Sequence, residues 1–139
     1  MKGTAQLRRK TAAKAFGLWA AWAGIFALLA PGGAGAAETG SIGALLRAGI
    51  ILPVAEELIF RGGMQSCLRP LGAGWAIAVQ AVLFAALHGS WAAKLYALGM
   101  GLIFGWAAEQ TGTLWVGLGL HLLNNWMVLA QSLAERGMG

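Results

Sequence analysis

Ile50-Ile51-Leu52-Pro53-Val54-Ala55-Glu56-Glu57-Leu58-Ile59-Phe60-Arg61-Gly62-Gly63-Met64 is the stretch on which the fold turns. Three ionisable side chains lie inside an otherwise apolar run. Glu57 and Arg61 stand at i and i+4, on one face of a helix, and Glu56 lies about 100° round the axis. The apolar pattern does not stop at Arg61. It continues through Met64 and Leu68 to Pro70, so a helix over 42–69 is expected with its charges well inside it. A charge at mid-membrane costs about 2.5–3.5 kcal/mol on insertion scales, so such residues persist when paired or working. Pro53, one turn before Glu56, removes a backbone hydrogen bond. The carbonyl it frees must be met by water or by a side chain.

The rest of the chain agrees with a membrane reading. Of 139 residues, 58% are hydrophobic and 11% charged, against about 25% charged in a soluble domain; the mean hydropathy is +0.67. This excludes an ordinary soluble domain and a disordered chain. There is no Asp; the acidic residues are Glu38, Glu56, Glu57, Glu109 and Glu135. The net charge of +5 does not point to nucleic acid. Half of the ten basic residues fall in the first fourteen positions (Lys2, Arg8, Arg9, Lys10, Lys14), where they read as a topology signal placing the N-terminus in the cytoplasm. One cysteine, Cys67, excludes an internal disulfide.

The expected fold class is all-α, an integral membrane bundle of about five transmembrane helices. Residues 1–41 form a basic leader, a first helix over 15–31 and a loop. Residues 42–130 form a four-helix, motif-bearing core with helices over 42–69, 73–88, 92–109 and 112–130. Residues 131–139 are a tail. The leader, the apolar run and Ala34-Gly35-Ala36 also resemble a cleavable signal peptide; an uncleaved helix is the preferred reading because the whole chain is apolar. Gly99, Gly101, Gly105, Gly117 and Gly119 are expected to let helices approach closely. Trp75, Trp91, Trp106 and Trp115 sit near segment ends, as an interfacial belt does.

Beyond the acidic stretch, two patterns stand out: Phe84-x-x-x-His88 and His121-x-x-x-Asn125. If the second helix runs to about Leu68, Glu56 lies roughly 18 Å from its cytoplasmic end. His88, His121 and Asn125 lie roughly 22, 14 and 20 Å above the starts of their helices. All fit at similar depth in a core of about 30 Å, so three helices are expected to build one polar cluster. Lys94 and Glu109, near segment ends, snorkel to water instead. In the cluster, Arg61 holds Glu57 charged and leaves Glu56 as the tunable group. A Glu and a His sharing a water make a general base, and a second His with an amide stabilises an oxyanion. These are the parts of an amide hydrolase without a covalent nucleophile.

Glu56-Glu57-x-x-x-Arg61, Phe84-x-x-x-His88 and His121-x-x-x-Asn125, in that order and inside apolar helices, resemble the motifs of the CPBP intramembrane proteases. That family includes the type II CAAX prenyl endopeptidases and shorter bacterial members. The resemblance spans about residues 42–130. It implies an intramembrane endopeptidase in which Glu56 and His88 activate water, His121 and Asn125 bind the oxyanion, and Arg61 orients the carboxylate pair. Family members have been described both as metalloproteases and as glutamate-type proteases. No cofactor is assigned; Glu56, His88 and His121 are the candidates for a divalent metal. The implied partners are a membrane-anchored protein or peptide substrate, such as one with a CAAX-like or C-terminal sorting tail, and the lipid bilayer of a bacterial cytoplasmic membrane. Two other classes stay open. One is a non-catalytic immunity or binding protein of the same fold. The other is a small proton or ion conduit, which would string polar residues along the bilayer normal.

Overall fold

The helix that carries the acidic motif is not regular. In the computed structural model, which describes residues 2–30 and 40–137, residues 42–71 (α2) change hydrogen-bond register along their length. Short α segments (Ile42–Leu46, Leu52–Glu57, Ser66–Leu68) alternate with π turns (Arg47–Ile51, Leu58–Gln65), and a 3₁₀ turn (Arg69–Leu71) closes the run. The Ser41 hydroxyl starts it by accepting from the Ala44 N–H at 3.1 Å, a standard N-cap contact.

The wider turns have a consequence for burial. At 3.6 residues per turn, positions four apart drift by about 40°, so 57, 61 and 65 would fan out across the helix surface. The i→i+5 turns over Leu58–Gln65 hold more residues per turn and reverse the sense of this drift. Glu57, Arg61 and Gln65 all end up buried, and Gly62-Gly63 does not end the helix. Pro53 acts as the sequence requires. Leu52 N–H reaches back to the Arg47 carbonyl. The next bond in that register would come from residue 53, which has no N–H, so the Ala48 carbonyl has no helical donor.

The other four helices are α1 (Lys2–Leu29), α3 (Ala73–Ala86), α4 (Trp91–Thr111) and α5 (Trp115–Gly137). Among the described residues there is no strand. Several bounds differ from the sequence reading, among them the start of α5, which is Trp115 and not residue 112. The basic leader is helical from Lys2 and continuous with the apolar run. α3 stops at Ala86, so His88 stands just beyond the helix and not within it. α5 continues past residue 130 to Gly137. The small residues of a possible cleavage site, 34–36, lie outside the described residues.

Helix α4 is central, packing against α1, α3 and α5. Its N-cap is Ser90, whose hydroxyl accepts from Ala93 N–H at 3.1 Å. It ends at Gly112, whose φ of 63° is the left-handed conformation a C-terminal glycine supplies. Tryptophan and glycine fit α1 onto it. A Cβ on Gly99 would lie 2.3 Å from the Trp22 ring, and Trp22 Nε1 donates to the Tyr96 carbonyl at 3.0 Å. Ala15, Trp19 and Phe26 of α1 join Tyr96, Met100 and Phe104 in one apolar cluster. Gly101 meets the Ala81 backbone, and Gly105 and Gly117 make room for polar side chains. Gly119 faces open space and is not a contact point.

Large apolar side chains stay exposed on every helix, among them Leu28, Ile59, Val82, Leu95 and Leu123, a surface suited to lipid. Trp75, Trp91 and Trp115 are exposed as belt residues should be, whereas Trp106 lies under the Lys14 ammonium at 5.1 Å. Among the described residues one stretch, Thr4–Leu29, is both long and apolar enough to cross a membrane by itself; Ala73–Ala86 is a shorter apolar helix.

Candidate functional site

Helices α2 and α5 meet at a buried ion pair. Glu57 and Arg61 are 1% and 2% exposed, and Arg61 Nη1 lies 3.0 Å from Glu57 Oε1. The i, i+4 spacing made that pair readable in advance. Phe84 and Phe104 cover the guanidinium, their ring centres 4.7 and 5.6 Å from Cζ. Gly117 of α5 faces the same carboxylate, since a Cβ there would lie 3.0 Å from Glu57 Oε2.

His121 lies between the two glutamates. Its Nδ1 is 2.9 Å from Glu57 Oε1 and its Nε2 is 3.4 Å from Glu56 Oε2. Glu56 therefore belongs to the same cluster, and its side chain is 29% exposed. That exposure opens onto a cavity of about 380 Å³ bordered by Glu56, His88, His121, Asn124, Asn125 and Tyr96. The residues singled out from three helices thus share one place: Glu56, His88, His121 and Asn125 at the cavity, Glu57 and Arg61 behind it.

His88 approaches from the turn after α3. Its Nδ1 is 3.1 Å from the Phe84 carbonyl. A carbonyl only accepts, so this bond puts the proton on Nδ1 and leaves Nε2 as the acceptor of the neutral ring. The Phe84 ring stacks edge-on against both histidines, 5.0 Å from His88 and 5.7 Å from His121. Asn125 donates from Nδ2 to the Ala48 carbonyl at 2.9 Å. It is the side chain that meets the acceptor orphaned by Pro53, and it ties α5 to α2. The serines and the cysteine stand apart: Ser66 Oγ donates to the Arg61 carbonyl, Ser90 caps α4, and Cys67 is exposed near the far end of α2.

Some of this was not readable in the sequence. Gln65 donates to the Gly105 carbonyl at 3.0 Å and Gln80 to the Gly101 carbonyl at 2.8 Å. These buried amides extend the polar face of α2 beyond Arg61. Asn124 accepts from Trp19 and Tyr96. Glutamine and asparagine carry no charge to flag them, and Trp19 reads as just another apolar residue.

Glu56, His88 and His121 are the candidate donors for a divalent ion. Glu56 Oε2 and His121 Nε2 are separated by about the edge of a tetrahedral shell with bonds near 2 Å. However, among the described residues no group of three or more His, Cys, Asp and Glu side chains is placed to hold an ion.

A protein-family model described as type II CAAX prenyl endopeptidase Rce1-like matches residues 38–127, well over half of the chain. The chain belongs to the Rce1-like type II CAAX prenyl endopeptidase family. No curated protein and no solved structure matches it. The Rce1-like match contains every residue of the cluster, from Glu56 to Asn125, and leaves α1 entirely outside it. Membership makes the chain a member of a membrane-integral family of proteases that act on membrane-anchored proteins.

Proposed function

We propose that this chain is an intramembrane endopeptidase in which Glu56 and His88 activate a water molecule against a peptide carbonyl in the cavity. The observation that supports this reading is the shared cavity: a half-buried carboxylate, an imidazole with its Nε2 free to accept, and a second imidazole all border it. Glu56 takes the water's proton as the oxygen attacks. His88 Nε2 orients that water. His121 and the second N–H of Asn125 face the carbonyl oxygen as it gains charge. Glu57 fixes the His121 ring through Nδ1, and Arg61 compensates Glu57. Collapse of the tetrahedral intermediate returns the proton from Glu56 to the leaving amine.

On this reading residues 42–130 are the proteolytic core and α1 its N-terminal addition, and the basic residues of the leader favour a cytoplasmic N-terminus. The test is turnover in membranes of a fluorogenic, membrane-anchored peptide ending in a CAAX-like or sorting tail. Glu56→Gln and His88→Ala are expected to accumulate uncut peptide at normal expression, and a chelator is expected to leave wild-type turnover unchanged. Wild-type turnover in Glu56→Gln would sink the assignment.

One observation favours a second reading, a proton conduit. Glu57, Arg61 and Gln65 are buried one after another along α2, and Gln65 and Gln80 both come up to Gly105. Proton flux into proteoliposomes separates the two, since a conduit leaks without any peptide present and a protease does not.

A further inference from the structure

Asn124 stands next to the motif residue Asn125 but is used differently. Asn125 spends an N–H on the Ala48 carbonyl. Asn124 spends only its oxygen: Oδ1 accepts from Trp19 Nε1 of α1 at 3.1 Å and from the Tyr96 hydroxyl of α4. An indole N–H is a donor and nothing else, so the atom facing it must be the amide oxygen. This fixes the orientation of the carboxamide by chemistry, and its NH₂ group points away from both donors. Among the described residues no group accepts from that nitrogen. Asn124 is 8% exposed, and the exposed part borders the cavity that Glu56, His88 and His121 also line. A buried amide clamped at its oxygen presents two N–H donors to whatever enters that cavity. Asn124 is three residues from His121, on the same side of α5.

We propose that Asn124 Nδ2 is a further catalytic donor, contributing a hydrogen bond to the substrate's scissile carbonyl oxygen as it becomes an oxyanion, and that Trp19 and Tyr96 are its positioning residues. The proposal rests on the endopeptidase reading above. It extends the site beyond the residues of the three motifs, and it makes α1 part of the machinery through Trp19. Two anchors on one oxygen leave the carboxamide little freedom about its last torsion. The donor is therefore in place before the charge develops, which is what makes such donors effective.

The experiment is steady-state kinetics on the fluorogenic anchored peptide with the full chain in proteoliposomes, alongside thermal unfolding of each variant. Asn124→Asp keeps an oxygen for Trp19 and Tyr96 and replaces the NH₂ group. Its kcat is expected to fall about 100-fold, with KM within threefold of wild type and the melting midpoint held. Trp19→Phe leaves Asn124 itself intact and frees one side of its oxygen; kcat is expected to fall several-fold with KM unchanged. An Asn124→Asp variant that is folded and turns over like wild type overturns the proposal. If that variant does not accumulate, Trp19→Phe decides: a loss confined to kcat supports the assignment, and an unchanged kcat overturns it. Glu56→Gln in the same assay separates the two levels. A dead Glu56→Gln beside a fully active Asn124→Asp refutes only the Asn124 assignment; a fully active Glu56→Gln refutes the protease reading itself.

Discussion

Helices α1 and α2 are of similar length and opposite character. α1 keeps one hydrogen-bond register over 28 residues and seats itself by shape, with Trp22 against Gly99 and Ala15, Trp19 and Phe26 in the apolar cluster. α2 passes through α, π and 3₁₀ turns and buries Glu57, Arg61 and Gln65 instead. A regular helix serves where apolar area does the stabilising. The irregular one carries the buried polar side chains. π turns recur at functional sites, and here one begins directly after Glu57 and carries Arg61 and Gln65.

The sharpest test of this contrast is Glu56→Gln. It keeps the shape of α2 and removes its base, so turnover should fall by about 10³-fold, within the usual range for general-base loss, with the unfolding midpoint unchanged. Arg61→Met comes next and should act on stability. It strands Glu57 as a buried charge, at a cost of about 3–5 kcal/mol, read from denaturant unfolding in micelles. A loss below 1 kcal/mol would mean that α2 does not depend on its ion pair. On the α1 side, Gly99→Leu drives a side chain into the Trp22 ring and should cost about 1–3 kcal/mol in the same unfolding measurement, while leaving the Glu57–His121 contact in place. The smallest effect sharpens the role of Pro53. Asn125→Ala should cost about 1 kcal/mol in the wild type. In a Pro53→Ala background the cost should be close to zero, because residue 53 then carries an N–H that can satisfy Ala48. Equal costs in both backgrounds would break the link between the proline and the asparagine.

The sequence made the charged parts legible. Glu57 and Arg61 announced their pairing by spacing. A count of rise per residue brought Glu56, His88, His121 and Asn125 to one depth, and the structure has them around one cavity. The carbonyl freed by Pro53 was foreseen, but not that Asn125 would meet it, because that contact crosses 77 positions of chain. The π turns left no mark in the pattern, since hydropathy is blind to whether a bond closes at i+4 or i+5. Gln65 and Gln80 passed unnoticed because uncharged amides barely disturb an apolar run. His88 was placed inside a helix because the apolar pattern continues to Leu87, whereas the backbone leaves the helix at Ala86.

The seat of α1 is made by α4 and α5, through side chains that α1 itself supplies. Its hold on the rest does not depend on being joined to α2 by peptide bonds. Residues 1–30 and 40–139, produced as two polypeptides in one membrane, should find each other and restore turnover. The larger piece alone should be slow, because it lacks the indole that fastens Asn124. The first thirty residues would then behave as a detachable activator, and the rate of cutting would follow how much of that peptide the membrane contains.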